Sequence, residues 1–279
     1  KKTASKYAFL HRILHIKKVY VLFLRFTRKR CSISKILEEI YEQDFLGCSY
    51  GYRLGVGALD AVRDLSAALR SGRYHFLVEA DIRSFFDRID HEKLIELLRL
   101  RIDDEPFLRL IRKWLKAGIL ERDGQVIHPE TGSPQGGIVS PMLANIYLHY
   151  ALDVWFEETV KTHCKGKAYL CRYADDFVCA FECESDAERF YEALGKRMSS
   201  YKLELAEEKT NLVKFSRFDR KHSGALEFLG FEFRWGVDRK GKPNVKRRTS
   251  RSKLRKSLAG FTAWCRECRN LDLSKLFAI

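Results

Sequence analysis

Arg172-Tyr173-Ala174-Asp175-Asp176-Phe177 is the stretch on which the reading of this chain turns. Two adjacent aspartates stand between apolar, β-prone residues on either side. Residues 168–181 read as two short strands with Ala174-Asp175-Asp176 at the bend. Carboxylates in such a hairpin are costly to bury unless a cation neutralises them, so the pattern predicts a divalent-metal site.

Working outward, residues 74–82 alternate and are rich in β-formers, which predicts a strand that delivers Asp81 near its C-terminal end. A sheet can bring Asp81 to the Asp175-Asp176 bend. Three carboxylates at one edge would repel one another strongly without metal. Two Mg²⁺ ions bridging them, with Mn²⁺ as a substitute, relieve that repulsion. They also supply the chemistry of nucleotide transfer, activating a 3′-hydroxyl and steadying the leaving pyrophosphate.

The rest of the pattern predicts helices over residues 60–69, 91–100 and 105–117, a long apolar helix from Ser140-Pro141 to about residue 160, and another over 186–203. Asp90 is suited to cap the second of these, whose Leu94, Leu97 and Leu98 form a buried stripe. Further strands are expected over 204–215 and 226–234. The order of elements suits an α+β fold, an antiparallel sheet with helices on one face.

Composition agrees with a nucleic-acid partner. The 279 residues are 46% hydrophobic, enough for a sizeable core, and carry a formal net charge of +15. The charge is clustered: residues 1–37 contain no acidic residue, and residues 239–256 hold ten Lys or Arg in eighteen. The apolar run Val19-Tyr20-Val21-Leu22-Phe23-Leu24 is too short to span a bilayer, and no membrane partner is predicted. The eight cysteines lie partly inside apolar runs, and Cys265-Arg266-Glu267-Cys268 lacks a second pair at zinc-finger spacing. A reducing, cytoplasmic location is expected.

Several blocks, taken together, resemble the reverse transcriptases encoded by bacterial group II introns. They are Cys48-Ser49-Tyr50-Gly51-Tyr52-Arg53, the stretch from Glu79-Ala80-Asp81-Ile82 through Phe85-Phe86 to His91, Gly132-Ser133-Pro134-Gln135-Gly136-Gly137 with Ser140-Pro141 and Asn145, Tyr173-Ala174-Asp175-Asp176, residues 203–210, and Phe228-Leu229-Gly230-Phe231. The resemblance covers about residues 36–275. It implies a reverse-transcriptase palm, with partial fingers and the start of a helical thumb.

It also implies roles for individual residues. Asp81, Asp175 and Asp176 would be catalytic and hold the two metal ions, with the Ile82 carbonyl beside them. Phe85, or secondarily Phe86, would exclude a ribonucleotide 2′-hydroxyl. Gln135 would lie along the incoming nucleotide and Lys209 near the leaving pyrophosphate. Asn145 would hold the Gln135 loop, and Phe228, Leu229 and Gly230 would form the primer grip. Arg53, Arg247, Arg248, Arg251 and Lys253 would contact nucleic acid. The implied partners are an RNA template and primer, group II intron RNA in the first place, and deoxynucleoside triphosphates.

By this reading residues 1–35 are a basic segment without the family's fingers block, as in a truncated or frameshifted reading frame. Residues 36–235 carry the fingers remnant and palm, and 236–279 a basic linker and the start of the maturase or thumb region. Two other readings share the basic surface: a non-catalytic RNA-binding maturase fragment, and a reverse transcriptase of retron, CRISPR-associated or defence type.

Overall fold

The computed structural model describes residues 32–116, 119–120, 126–127, 131–132, 139–206, 208, 210–218 and 223–269. The expectations for residues 1–31, for Gln135 and Lys209, and for residues 270–279 lie outside the described residues.

The centre is a four-stranded antiparallel sheet. Strand β1 (Phe76–Ala80) pairs with β5 (Asp176–Phe181) on one side and β6 (Asn211–Lys214) on the other, and β4 (Ala168–Tyr173) closes the edge beside β5. Alternation along β1 and β5 divides the side chains between two cores. Val78, Ala80, Phe177, Cys179 and Phe181 face one, and Leu77, Val178 and Ala180 face the other.

The first core is roofed by helices. Helix α1 (32–41) brings Leu37 and Tyr41. After α2 (Ala58–Arg70) and the short α3 (Phe85–Arg88), α4 (His91–Arg99) buries Leu94, Leu97 and Leu98, the expected stripe, and Asp90 caps it by accepting from the Lys93 amide at 2.8 Å. Helix α5 (Glu105–Leu115) packs against α4, with Pro106 in its first turn. Residues Ile119–Leu120 (β2) and Val126–Ile127 (β3) pair as a small hairpin. The long apolar helix begins as α6 (Ser140–Leu148) and continues through π-helical turns at His149–Asp153 and Phe156–Val160 into α7 (Lys161–His163). Helix α8 (Glu184–Ser200) completes this layer with Phe190, Leu194 and Met198 inward.

The other face of the sheet carries α2 and a second sheet, β7 (Leu226–Phe228), β8 (Phe231–Val237) and β9 (Pro243–Thr249), in that order. Here the structure corrects two expectations. Residues 239–256 are not a linker: strand β9 pairs along its whole length with β8 from Phe231↔Thr249 to Val237↔Pro243, and Val245 is its buried residue. Its Lys and Arg residues mask the alternation in the sequence. Residues 204–215 are not one strand either. Leu205 makes an isolated antiparallel bridge to Ile82, and β6 begins only at Asn211.

Helix α9 (Arg251–Cys268) follows β9 directly. Ser250 caps it, accepting from the Lys253 amide. Among the described residues no helix is long and apolar enough to cross a membrane.

Candidate active site

The register of the central sheet brings the aspartates to one end. The pairing of β1 with β5 finishes at Ala80↔Phe177, so Asp81 and Asp176 are the next residues on neighbouring strands. Asp176 pairs with Tyr173 across a two-residue turn made of Ala174 and Asp175. Ala174 has φ of 56°, the left-handed backbone that tight hairpin turns require and that glycine usually supplies. Beyond β1 the chain stays extended against residues 204–206. The Ala206 amide donates to the Asp81 carbonyl and the Arg83 amide to the Glu204 carbonyl, both at 2.8 Å, and Ile82 is buried.

Asp81 and Asp176 line an open cleft of about 700 Å³ together with Glu79, Tyr173, Asn211, Glu227, the Phe228-Leu229-Gly230 turn and Lys253. Asp175, on the turn, lies toward Tyr52, whose phenol is pushed up by burial and then by the Asp175 charge. Glu79 is pushed up to about 7, first by burial and then by the charges of Glu227 and Asp176.

Among the described residues no group of three or more His, Cys, Asp or Glu side chains is arranged to hold a metal ion as it stands. The donor chemistry does suit a hard divalent cation: the acidic groups are oxygen donors, and burial, with the nearby Glu227 and Asp176 charges added, raises Glu79 to about 7. Because the folded value lies above the ordinary carboxylate value, Glu79 supports folding at low pH, and that support is lost as pH rises from about 4.5 to about 7. In metal-free buffer the wild-type melting temperature should fall across that window. Glu79→Gln should flatten the profile, and an unchanged slope would refute the assignment.

Phe85 does not face the cleft. It is 2% exposed, packed edge-on against Tyr147 in the helical core, and offers no surface to a nucleotide. Phe86, beside it, is the half-buried aromatic of the pair. Gly132, the first residue of the loop that carries Gln135, abuts the Asp87 backbone so closely that a Cβ would come within 2.9 Å of it, and its carbonyl lies 2.6 Å from His91 Nε2. The start of that loop is thus pinned next to Phe86.

The expected primer grip is a tight turn between β7 and β8. Phe228 pairs with Phe231, and both turn residues have positive φ, 50° at Leu229 and 77° at Gly230. Lys253, from α9, lies across this turn: a Cβ on Gly230 would meet its side chain at 2.4 Å. The Ser250 amide donates to the Gly230 carbonyl at 2.9 Å.

The basic candidates divide. Arg247 and Arg251 are exposed, the former over the Phe231 ring. Arg248 is ion-paired with Glu232 at 2.6 Å. Arg53 is consumed internally, which corrects its assignment to nucleic acid. It pairs with Glu42 at 2.6 Å, donates to the Leu46 and Ser49 carbonyls and covers the Phe45 ring.

The expected partner of Asn145, the Gln135 loop, lies outside the described residues, and Asn145 finds its described partners elsewhere. Its side chain is buried and donates to the Gly51 carbonyl at 2.5 Å, and its amide oxygen accepts from Arg172. Arg172 and Asp153, both fully buried, form a two-pronged ion pair directly behind the hairpin. The sequence held a signal for this pair, a lone arginine in an apolar strand and a lone aspartate in an apolar helix, but nothing in the spacing joined them.

The family model described as "Reverse transcriptase (RNA-dependent DNA polymerase)" matches residues 24–233. Among curated proteins, the group II intron-encoded protein LtrA of Lactococcus lactis subsp. cremoris is 46% identical over 114 residues, covering 41% of this chain and 18% of that protein. An uncharacterised 91 kDa protein in the cob intron of Schizosaccharomyces pombe is 43% identical over 137 residues, 49% of this chain and 16% of that protein. Protein YkfC of Escherichia coli is 32% identical over 207 residues, 63% of this chain and 54% of its own length. This chain therefore spans from under a fifth to about half of those relatives. Among solved structures, telomerase from Candida albicans superposes with a TM-score of 0.56 at 15% identity, over 72% of this chain and 36% of that one, a likeness of fold. Since the family model takes in well over half of the sequence and its match contains the strand and the hairpin that carry the three aspartates, the chain belongs to the reverse transcriptase family, with group II intron-encoded proteins among its relatives.

Proposed function

We propose that this chain is the palm of an RNA-directed DNA polymerase of group II intron type, extending a primer 3′-hydroxyl with deoxynucleotides along an RNA template. The observation that carries the reading is the register: Asp81 and Asp176 stand next to one another beyond the last β1–β5 pair, and Asp175 occupies the turn between β4 and β5. Asp81, Asp175 and Asp176 would hold two Mg²⁺ ions, which supply a more nucleophilic 3′-hydroxyl and neutralise charge on the triphosphate.

The chain's own residues do the positioning. The Leu229-Gly230 turn offers backbone to the primer end, and Lys253 gives the same cleft wall a cation for primer phosphate. Phe86, the less buried aromatic of the pair, is the candidate whose rigid bulk would exclude a 2′-hydroxyl. Arg247 and Arg251 extend the basic surface toward the template–primer backbone, and group II intron RNA is the template that the relatives point to.

Primer extension tests the reading. With Mg²⁺ and deoxynucleotides the full chain should extend a DNA primer on an RNA template. Phe86→Ala should raise ribonucleotide incorporation relative to deoxynucleotide by about tenfold or more, the scale on which loss of a packing contact shifts discrimination. An RNA-binding protein that never extends the primer would favour the non-catalytic maturase reading. Unchanged sugar discrimination in an active Phe86→Ala enzyme would remove Phe86 from the gate.

A further inference from the structure

The hairpin that carries Asp175 rests on a buried charged network, and the polymerase reading gives that network a task. Arg172 is the largest fully buried side chain among the described residues. Its guanidinium donates to Asp153 Oδ1 at 2.7 Å and Oδ2 at 2.5 Å, to Asn145 Oδ1 at 3.0 Å, to Ser49 Oγ at 2.7 Å and to the Ala174 carbonyl at 3.0 Å. The backbone on either side is tied as well: the Arg172 amide donates to the Cys48 carbonyl at 2.8 Å, and the Arg172 carbonyl accepts from the Tyr50 amide at 2.9 Å.

Stability alone does not call for this arrangement, because a buried ion pair is often replaceable by apolar side chains of similar volume at little cost. The bond to the Ala174 carbonyl is what an apolar core could not reproduce. Ala174 holds a positive φ without being glycine, a conformation that persists only where its surroundings over-determine it. Two contacts do so here. Arg172 fixes the carbonyl on the C-terminal side of Ala174, and Gly51 presses against the peptide on its N-terminal side, where a Cβ would sit 2.3 Å from the Ala174 nitrogen. Asn145 joins the two, touching Gly51 with one end of its amide and Arg172 with the other.

We propose that Arg172, oriented by Asp153, Asn145 and Ser49, is a positioning residue that locks the Ala174 peptide so that the next residue, Asp175, presents its carboxylate to a divalent cation. Arg172 acts through the turn and touches neither substrate nor ion. The π-helical turn at His149–Asp153 is the part of the long helix that places Asp153 against Arg172.

The test uses the full chain with Mn²⁺ as probe, read by electron paramagnetic resonance, beside primer extension with Mg²⁺. The variants are Arg172→Lys, which keeps the charge and loses the fork, and the double replacement Arg172→Met with Asp153→Leu, which removes both charges. Ser49→Ala deletes one bond to the fork without leaving a buried charge, and it serves if the others fail to fold. In folded variants Mn²⁺ affinity should fall by about 10-fold to 100-fold, the range for groups that orient metal ligands, and extension should lose kcat more than nucleotide KM. Ser49→Ala should move both readouts the same way, by less. Folded variants with wild-type Mn²⁺ affinity would overturn the proposal. If the wild type binds Mn²⁺ in an Asp175-dependent manner yet never extends a primer, the polymerase reading fails alone and the Mn²⁺ series still decides the role of Arg172. A wild type that binds no Mn²⁺ through Asp175 overturns the positioning role as well.

Discussion

Asp175→Ala should abolish primer extension, lowering kcat by about a thousandfold or more while leaving RNA affinity close to wild type, because catalysis of phosphoryl transfer is almost entirely positioning and charge stabilisation. The side chain is only half-buried and sits on a turn, so its removal opens no cavity in either core. A melting temperature within a few degrees of wild type is therefore expected alongside the lost activity. Single-turnover extension on a primed RNA template makes the measurement. Residual activity within tenfold of wild type would mean that this hairpin does not carry the chemistry, and the aspartates would have to be explained as surface acids.

The largest effect on stability should come from a residue outside the cleft. Asp153→Ala leaves the Arg172 guanidinium buried without its counter-charge, and breaking such a pair from one side costs about 3–5 kcal/mol. Urea denaturation should show this as a lower midpoint at nearly constant slope. Replacing both partners, Arg172→Met with Asp153→Leu, should recover most of the loss, since neither charge then remains to be compensated. A loss below about 1 kcal/mol for Asp153→Ala would mean that water reaches the pair, contrary to its complete burial. The two variants differ in order of effect: one removes activity with stability intact, the other lowers stability first and reaches Asp175 only through Arg172 and the turn.

Local signals in the sequence carried the fold a long way. The alternation before Asp81, the bend expected at Ala174-Asp175-Asp176 and the Asp90 cap each depend on neighbours within a few residues; the strand and the cap stand where the pattern placed them, and the turn narrows to Ala174-Asp175, with Asp176 opening β5. Helix α4 likewise buries the leucines that its period selects. What the sequence hid were properties set by distant partners. Phe85 and Phe86 are indistinguishable as residues, and only the packing of Tyr147 decides which is covered. Arg53 looked available because Glu42, eleven positions away, neutralises it across a loop. Arg172 meets Asp153 nineteen positions back and Ser49 at a separation of 123, so its importance was invisible from its own strand. Strand β9 was hidden for a different reason: its outward residues are Lys and Arg, and a single buried valine is too faint a period-two signal.

The tie between Ser250 and Gly230 has a mechanical meaning. Helix α9 spans eighteen residues, about 27 Å at the usual rise, and its N-terminal end is bonded to the two-residue turn that walls the cleft. Leu254, Leu258, Phe261 and Trp264 are exposed along its length. The far end of the helix and the wall of the cleft are thus joined through one short connection, the Ser250–Gly230 bond, with no intervening loop to slacken it.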